Sequence, residues 1–381
     1  MSIRKREWTT TKGEERSAWV LDYRDRGGKR RTETFQRRKD ADERRGEVAV
    51  DIRDGVHVPR NSSITVAQAG ESWIEEGEKN GLERGTLAQY RGHLDNYIIP
   101  HWGKTKLADV TTPQIATFEQ EMYKDGASES LRRKVLVSLS SILRLAMRHG
   151  LVNRNAADGF RVKTNKRSKR KLQIGVDIPS PDEVRTFLPE TQGKTRALFL
   201  TAVFTGMRAS ELRGLRWPNV DLQRAVIHVR ERADVYHEIG RPKSRDSERA
   251  IPIGPQVVDM FRRWKLHCPK SEQGLVFPTE QGTVMSASNI RKRMLIPAMK
   301  RAGIVDENGD AKYTGLHCLR HFYASWLINS KEAGGRGLQP KVVQERLGHS
   351  TLAMTMDTYG HLFPTDDSPE ELREAERALI A

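Results

Sequence analysis

Arg208, Lys243, His317, Arg320, His349 and Tyr359 lie in the second half of a 381-residue chain. Together they offer two guanidiniums, an ammonium, two imidazoles and a phenol. Breaking a phosphodiester takes a nucleophile in line with the leaving group, neutralisation of charge on the non-bridging oxygens, and a proton for the departing oxygen. Tyr359 can be the nucleophile, although a phenol with an ordinary pKa of about 10 needs an electropositive pocket or a base to react. Arg208 and Arg320 suit the second task, because a planar fork matches two phosphate oxygens and does not lose its proton. Lys243, on a flexible hairpin, can reach the 5′ oxygen and protonate it. His317 reads as the acid/base for the nucleophile and His349 as a hydrogen-bond donor to the phosphate.

Helical spacing supports this set. Arg208 and Glu211 are three residues apart, so Glu211 can orient the guanidinium from behind. His317 and Arg320 have the same relation and can face one phosphate. His321 and His361 adjoin these residues but read as packing or outer support, pointing elsewhere. The sequence has no glycine-rich loop ending in Gly-Lys-Ser/Thr and no carboxylate cluster suited to two metal ions. The expectation is chemistry with no metal and no nucleotide cofactor.

The local contexts are Thr205-Gly206-Met207-Arg208-Ala209-Ser210-Glu211-Leu212, His317-Cys318-Leu319-Arg320-His321, Leu347-Gly348-His349-Ser350 and Asp357-Thr358-Tyr359-Gly360-His361. In these four motifs and their order the chain resembles the tyrosine recombinase (phage integrase) family. Arg320 stands 29 residues before His349, and His349 ten before Tyr359. The turn from Lys243 to Arg249 is about one residue longer than the family pattern, which leaves Lys243 and Arg245 both open as the hairpin cation. The segment 331–337 looks like a short surface insertion.

The resemblance implies a multidomain architecture. Its parts are a small α+β N-terminal domain over residues 1–60, an all-α, SAM-like core-binding domain over 64–160, a basic linker over 161–175, and a catalytic domain over 176–381. The last would be mainly α (α+β) with a small antiparallel sheet. The implied activity is site-specific recombination through a 3′-phosphotyrosyl intermediate, integrating or excising a phage or mobile element. Implied partners are double-stranded DNA at core and arm-type attachment sites, a homotetramer on DNA, an excisionase and a host DNA-bending protein. The expected location is the bacterial cytoplasm, associated with the nucleoid.

Composition points the same way. Lys and Arg number 66 against 50 Asp and Glu, a formal charge of +16, and a polyanion bound by such a surface releases condensed counterions. An anionic membrane is the competing partner, but no run of 18 apolar residues and no basic-then-apolar leader occurs. Cys268 and Cys318 are too few for a disulfide framework and lack metal-ligand spacing.

Along the chain, Trp19, Leu21 and Tyr23 alternate with Val20 and Asp22, a turn falls near Gly27-Gly28, and Lys29 to Phe35 reads as a return strand. Ala41, Val48 and Ile52 mark a helix ending near Gly55. Thr86 with Gln89 reads as a capping box for a helix buried through Leu87, Tyr90, Leu94 and Ile98. Thr112 reads as the N-cap of a helix carrying Ile115, Phe118 and Met122, and Ser128 as the cap of one carrying Leu131, Val135, Leu139, Ile142 and Ala146. Arg132, Arg133, Lys134, Arg144 and Arg148 then fall on an exposed face able to meet phosphates. Seven of the eleven residues from Arg161 to Lys171 are basic, so Lys166, Arg167, Lys169, Arg170 and Lys171 read as a DNA-tracking linker. Ser180 with Glu183 caps the first catalytic helix. The tail stripe of Leu372, Ala375, Leu379 and Ile380 suits docking on its own domain or on a neighbouring protomer.

Two other functions fit parts of this pattern. A type IB topoisomerase shares the chemistry but needs neither N-terminal module nor tail, and a DNA-binding regulator needs no intact catalytic set. The hairpin cation is open to direct test. A 5′-bridging phosphorothiolate departs without a proton, so it should restore cleavage to Lys243→Ala and not to Arg320→Ala; rescue of Arg245→Ala instead would move the general acid to that position.

Overall fold

Three antiparallel strands open the chain, Ser2–Thr9, Glu15–Arg24 and Arg30–Phe35, with the second in the middle. Leu21 sits between Ile3 and Glu33 in the register, and with Tyr23 packs against Val48 of the helix Arg38–Arg53. Trp19 lies on the same face, with the Arg38 guanidinium 5.4 Å from its ring centre. Val20, on the opposite face, is also buried, so the central strand is covered more evenly than simple alternation suggests. The first strand is exposed along nearly its whole length, which is why no apolar period announces it.

The computed structural model describes residues 1–11, 13–25, 27–53, 63–162, 170–242, 247–364 and 369–380. Chain contacts divide it into two compact units, residues 1–166 and 167–381. The first unit holds both the sheet module and the helical segment that follows, and the Asn153 amide donates to Asp51 at 2.6 Å within it. No helix among the described residues is long and apolar enough to cross a membrane.

In the helical segment, Val66–Lys79, Arg84–His93, Thr112–Lys124 and Glu129–Arg148 close around Ile74, Leu94, Ile98, Ile115, Phe118, Val135, Leu139 and Ile142. Ser128 caps the last helix as expected, accepting from Leu131 N at 3.3 Å. Two caps shift. The helix carrying Leu87 begins at Arg84, so Thr86 lies inside its first turn and donates its backbone N–H to Glu83 O. The next is capped by Thr111 in a box with Gln114, while the Thr112 hydroxyl donates to Ala156 O. At the second of these, the tertiary partner Ala156 takes the Thr112 hydroxyl and leaves Thr111 to cap.

The first helix of the second unit, Pro181–Phe187, opens with the Ser180–Glu183 capping box. A core built on Phe187, Phe199, Phe261 and Phe277 supports a three-stranded antiparallel sheet of Val220–Asp221, Val226–Val229 and Arg249–Pro252. Ile227 faces Ile251 across the last two strands, and both are fully buried. Lys243 and Arg245, between these strands, lie outside the described residues. The helix His317–Ile328 runs through the middle, packed on Gly193–Thr205 and Pro340–Leu347. Leu352–Tyr359 follows, and the tail helix Pro369–Ile380 leaves Leu372, Leu379 and Ile380 exposed.

Arg132 corrects the reading of an open basic face. It is 9% exposed, ion-paired to Glu119 and held 4.9 Å from the Tyr123 ring centre. Its helix turns it toward Thr112–Lys124, while Arg133, Lys134, Arg144 and Arg148 face solvent. Arg132→Ala should therefore strand a poorly hydrated carboxylate and lower stability by about 2 kcal/mol, read as a shift in the urea midpoint. An unchanged midpoint with weakened DNA affinity would return Arg132 to the interface.

Candidate active site

The site is assembled around one buried carboxylate. Glu211, 2% exposed, accepts from the Arg208 backbone N–H at 2.8 Å and from its guanidinium at 2.9 Å, an N-terminal capping arrangement for the short helix Ala209–Arg213. Its two oxygens also receive the Arg249 fork, at 3.1 and 2.9 Å. Burial pushes the Glu211 carboxyl up, but the charges and hydrogen bonds of Arg249 and Arg208 outweigh it, and the net direction is down.

Arg249 was absent from the sequence reading. It shares the inward face of its strand with Ile251 and Ile253, both buried, and a lone cation in such an apolar alternation was the available signal. Its Nε donates to Arg346 O at 2.8 Å, which ties the strand to the end of the helix Pro340–Leu347. Two left-handed glycines complete the frame. Gly348, at φ +64, accepts at its carbonyl from Arg208 Nη2 at 2.9 Å. Gly206, at φ +59, offers its own to Arg320 Nη1 at 2.7 Å, and a Cβ there would collide with the Tyr323 ring. Arg320 Nη2 donates to Leu347 O at 2.6 Å, so its guanidinium plane is fixed from two sides.

Arg320 is 2% exposed. Burial, then the charges of Arg208 and Arg249, bring its guanidinium down to about 9, still protonated at neutral pH. His349 is pushed to about 4 by burial and by Arg320, Arg208 and Arg249. It is neutral, and its Nδ1 lies 2.9 Å from the Thr355 hydroxyl; a donating Thr355 leaves Nε2–H to face a ligand. His317 is exposed at the start of its helix. Partial desolvation and, with more weight for a ring at the surface, the positive charges of Arg320 and Arg208 hold it below its ordinary range.

Tyr359 is 1% exposed. Burial raises its hydroxyl to about 12, against the lowering charge of Arg320. The hydroxyl lies 2.7 Å from His321 Nδ1, and the His349 ring stacks parallel to the phenol at 6.3 Å. This corrects the reading of His321 as pointing elsewhere. One turn after His317 on the same helix, it meets that ring edge-on at 4.6 Å. His361 does serve packing, 2.7 Å from Leu172 O.

The structure thus brings Arg208, Glu211, His317, Arg320, His349 and Tyr359 together, and adds Arg249 and His321. Among the described residues three guanidiniums face one carboxylate, an excess of positive charge beside a phenol. Such a pocket favours an anion whose charge grows during attack. Of the DNA-binding candidates, Arg133 and Lys134 are exposed, Arg170 pairs with Asp177 at 3.2 Å, and Lys171 is exposed. Lys166, Arg167 and Lys169 lie outside the described residues. Glu211→Gln keeps the shape but removes the charge joining Arg208 to Arg249. It should lower cleavage by roughly 10- to 100-fold with DNA affinity held, a split visible in single-turnover assays against mobility shifts; undiminished cleavage would deny it a positioning role.

Comparison with known proteins bears on the family and the fold. The profile of the Phage integrase family matches residues 180–365, and that of the Phage integrase central domain matches residues 66–163. The chain is 26% identical over 370 residues to the tyrosine recombinase XerC-like protein of Caldanaerobacter subterraneus subsp. tengcongensis, covering 90% of each. It is 24% identical to the ICEBs1 integrase of Bacillus subtilis over 71% of each. In fold it is similar to the Tn1549 transposon integrase in complex with a circular intermediate DNA, with a TM-score of 0.67 and 21% identity over 83% of this chain and 100% of that one. A lambda integrase dimer bound to a core site superposes with a TM-score of 0.59 and 18% identity over 92% of this chain and 93% of that one. The four motifs fall inside the first matched segment, and the chain belongs to the tyrosine recombinase (phage integrase) family.

Proposed function

We propose that this protein is a site-specific DNA recombinase that integrates and excises a mobile element. The observation that carries the reading is the buried Tyr359 hydroxyl beside a cluster of Arg208, Arg249 and Arg320 in which, among the described residues, Glu211 is the one paired carboxylate. A phosphodiester brings one negative charge into that cluster, and the pentacoordinate transition state brings more, so the excess positive charge favours the transition state over the bound substrate.

Tyr359 attacks the scissile phosphorus, the 3′-phosphotyrosyl bond forms, and the 5′ oxygen leaves with a proton from the hairpin cation. Lys243 is our assignment for that cation. Arg208 and Arg320 hold the non-bridging oxygens, with His317 and the Nε2–H of His349 beside them. The covalent link conserves the bond energy, and attack by the 5′ hydroxyl of a partner strand completes the exchange.

We assign residues 1–60 to arm-type DNA, 64–160 to the core site, 161–175 to a basic linker and 176–381 to catalysis. Arg133, Lys134, Arg170 and Lys171, with Lys166, Arg167 and Lys169, are the proposed phosphate contacts. The relatives solved on DNA include a lambda integrase tetramer bound to a Holliday junction, and we propose the same stoichiometry here. The exposed apolar tail residues Leu372, Leu379 and Ile380 fit contact between protomers. An excisionase and a host DNA-bending protein are the expected accessories. Topoisomerase-like relaxation is not favoured by the integrase relatives, and an intact catalytic cluster speaks against a regulator with a relic site.

The test is covalent capture. Nicked suicide duplexes of randomised sequence are incubated with the protein, and DNA trapped on it is enriched and sequenced. The expected result is a defined, inverted-repeat site, with capture abolished by Tyr359→Phe and DNA binding retained. Deleting residues 1–60 should leave capture intact while blocking recombination of full attachment sites. Adducts that persist in Tyr359→Phe would overturn the assignment.

A further inference from the structure

We infer that His321 is a catalytic residue, the group that accepts the proton of Tyr359 when the phenol attacks and returns it when the strand is rejoined. The inference rests on the recombinase reading and deepens it, because the proton acceptor expected from spacing was His317. Two observations carry it. The Tyr359 hydroxyl lies 2.7 Å from His321 Nδ1 and has no other side-chain hydrogen bond among those the structure gives. The other two imidazoles are engaged differently: His349 stacks parallel on the phenol ring with its Nδ1 against Thr355, and His317 stands at the surface beside Arg208 and Arg320.

The direction of the bond follows from charge. Burial, then the neighbouring His317 and Arg320, bring His321 to about 4, while Asp177 opposes them. The imidazole is therefore neutral, Nε2 carries its hydrogen, and Nδ1 accepts from the Tyr359 O–H. In cleavage the Oη–P bond forms as the P–O5′ bond breaks, the phenol proton passes to Nδ1, and the 5′ oxygen takes its proton from the hairpin cation. The imidazolium keeps that proton until rejoining, when the 5′ hydroxyl attacks and Tyr359 departs, or exchanges it with water through Nε2. A phosphate seated on Arg208 and Arg320 offsets the charges that now disfavour protonation, so the base strengthens only with substrate in place.

His317 and His321 are four residues apart on one helix and touch at 4.6 Å. That spacing divides the work: the first ring lies toward the guanidiniums, the second toward the nucleophile. General-base help of this kind typically contributes a factor of roughly 100 to 10,000.

The experiment measures the rate of covalent adduct formation on suicide duplexes already enriched by the wild-type protein, for His321→Ala, His321→Gln and His317→Ala, with mobility shifts on the same DNA. His321→Ala and His321→Gln should lose roughly 100- to 10,000-fold in rate and still bind DNA. Imidazole added to the buffer should restore His321→Ala and leave His317→Ala unaffected. Glutamine supplies an acceptor but no base, so near-normal cleavage by His321→Gln overturns the proposal. Loss without imidazole rescue assigns His321 to packing and also overturns it, as does rescue of His317→Ala instead. If the wild-type protein forms no adduct on any duplex, it is the recombinase reading that fails.

Discussion

The carboxylate of Glu211 is the joint on which the catalytic unit depends. It is buried, and it is shared by Arg208 at the N-terminus of Ala209–Arg213 and by Arg249 at the start of the strand Arg249–Pro252. Neither arginine is left to it alone. Arg208 continues to Gly348 O and Arg249 to Arg346 O, so a helix start, a strand and a helix end are fixed by three charges. A buried network of this kind is unforgiving, because deleting one member strands charges that water cannot reach. Its benefit is position: His349 follows Gly348 directly and inherits a place set by the Arg208 contact.

The same charges explain the protonation pattern. With one anion against three guanidiniums, every neighbouring base feels a positive field. His349 and His321 are both driven to about 4, and His317 is lowered as well. That field should also ease ionisation of the phenol, yet Tyr359 rises to about 12 because burial outweighs the attraction of Arg320. The nucleophile therefore rests protonated among neutral imidazoles. A phosphate weakens the positive field at the bases and offsets part of the excess charge at the arginines, which makes substrate the condition for reactivity.

Much of this was legible in sequence because the chemistry sits in short motifs. The Arg208–Glu211 pair and the His317–Arg320 pair each lie within one helical turn, and spacing alone placed their side chains together. What spacing could not show was long-range. Arg249 joins the site through a strand pairing with Val226–Val229, and the one local sign of it, a cation in alternation with Ile251 and Ile253, does not say which carboxylate it meets. Arg132 looked like part of a basic stripe because Arg133 and Lys134 follow it, but one position of helical rotation turns it onto Glu119. His321 was misjudged although it is one turn from His317; which face of a helix meets Tyr359 depends on a segment 38 residues later. The N-cap shifts at Thr86 and Thr111 are smaller cases of the same limit.

The backbone contacts also explain why the site uses guanidiniums where it does. Arg320 spends one N–H on Gly206 O and another on Leu347 O before any substrate arrives. Arg208 likewise serves Glu211 and Gly348 O. A guanidinium has five N–H bonds in a rigid plane, so it can be anchored from behind and still present a fork to phosphate. An ammonium has three donors about one point, and anchoring it would consume the group meant for the ligand. A group that must release a proton has the opposite requirement, which a guanidinium meets poorly. The use of arginine at Arg208 and Arg320 thus follows from what each must do after it is placed: hold its charge in a fixed plane, anchored from behind, with N–H bonds left over for the phosphate.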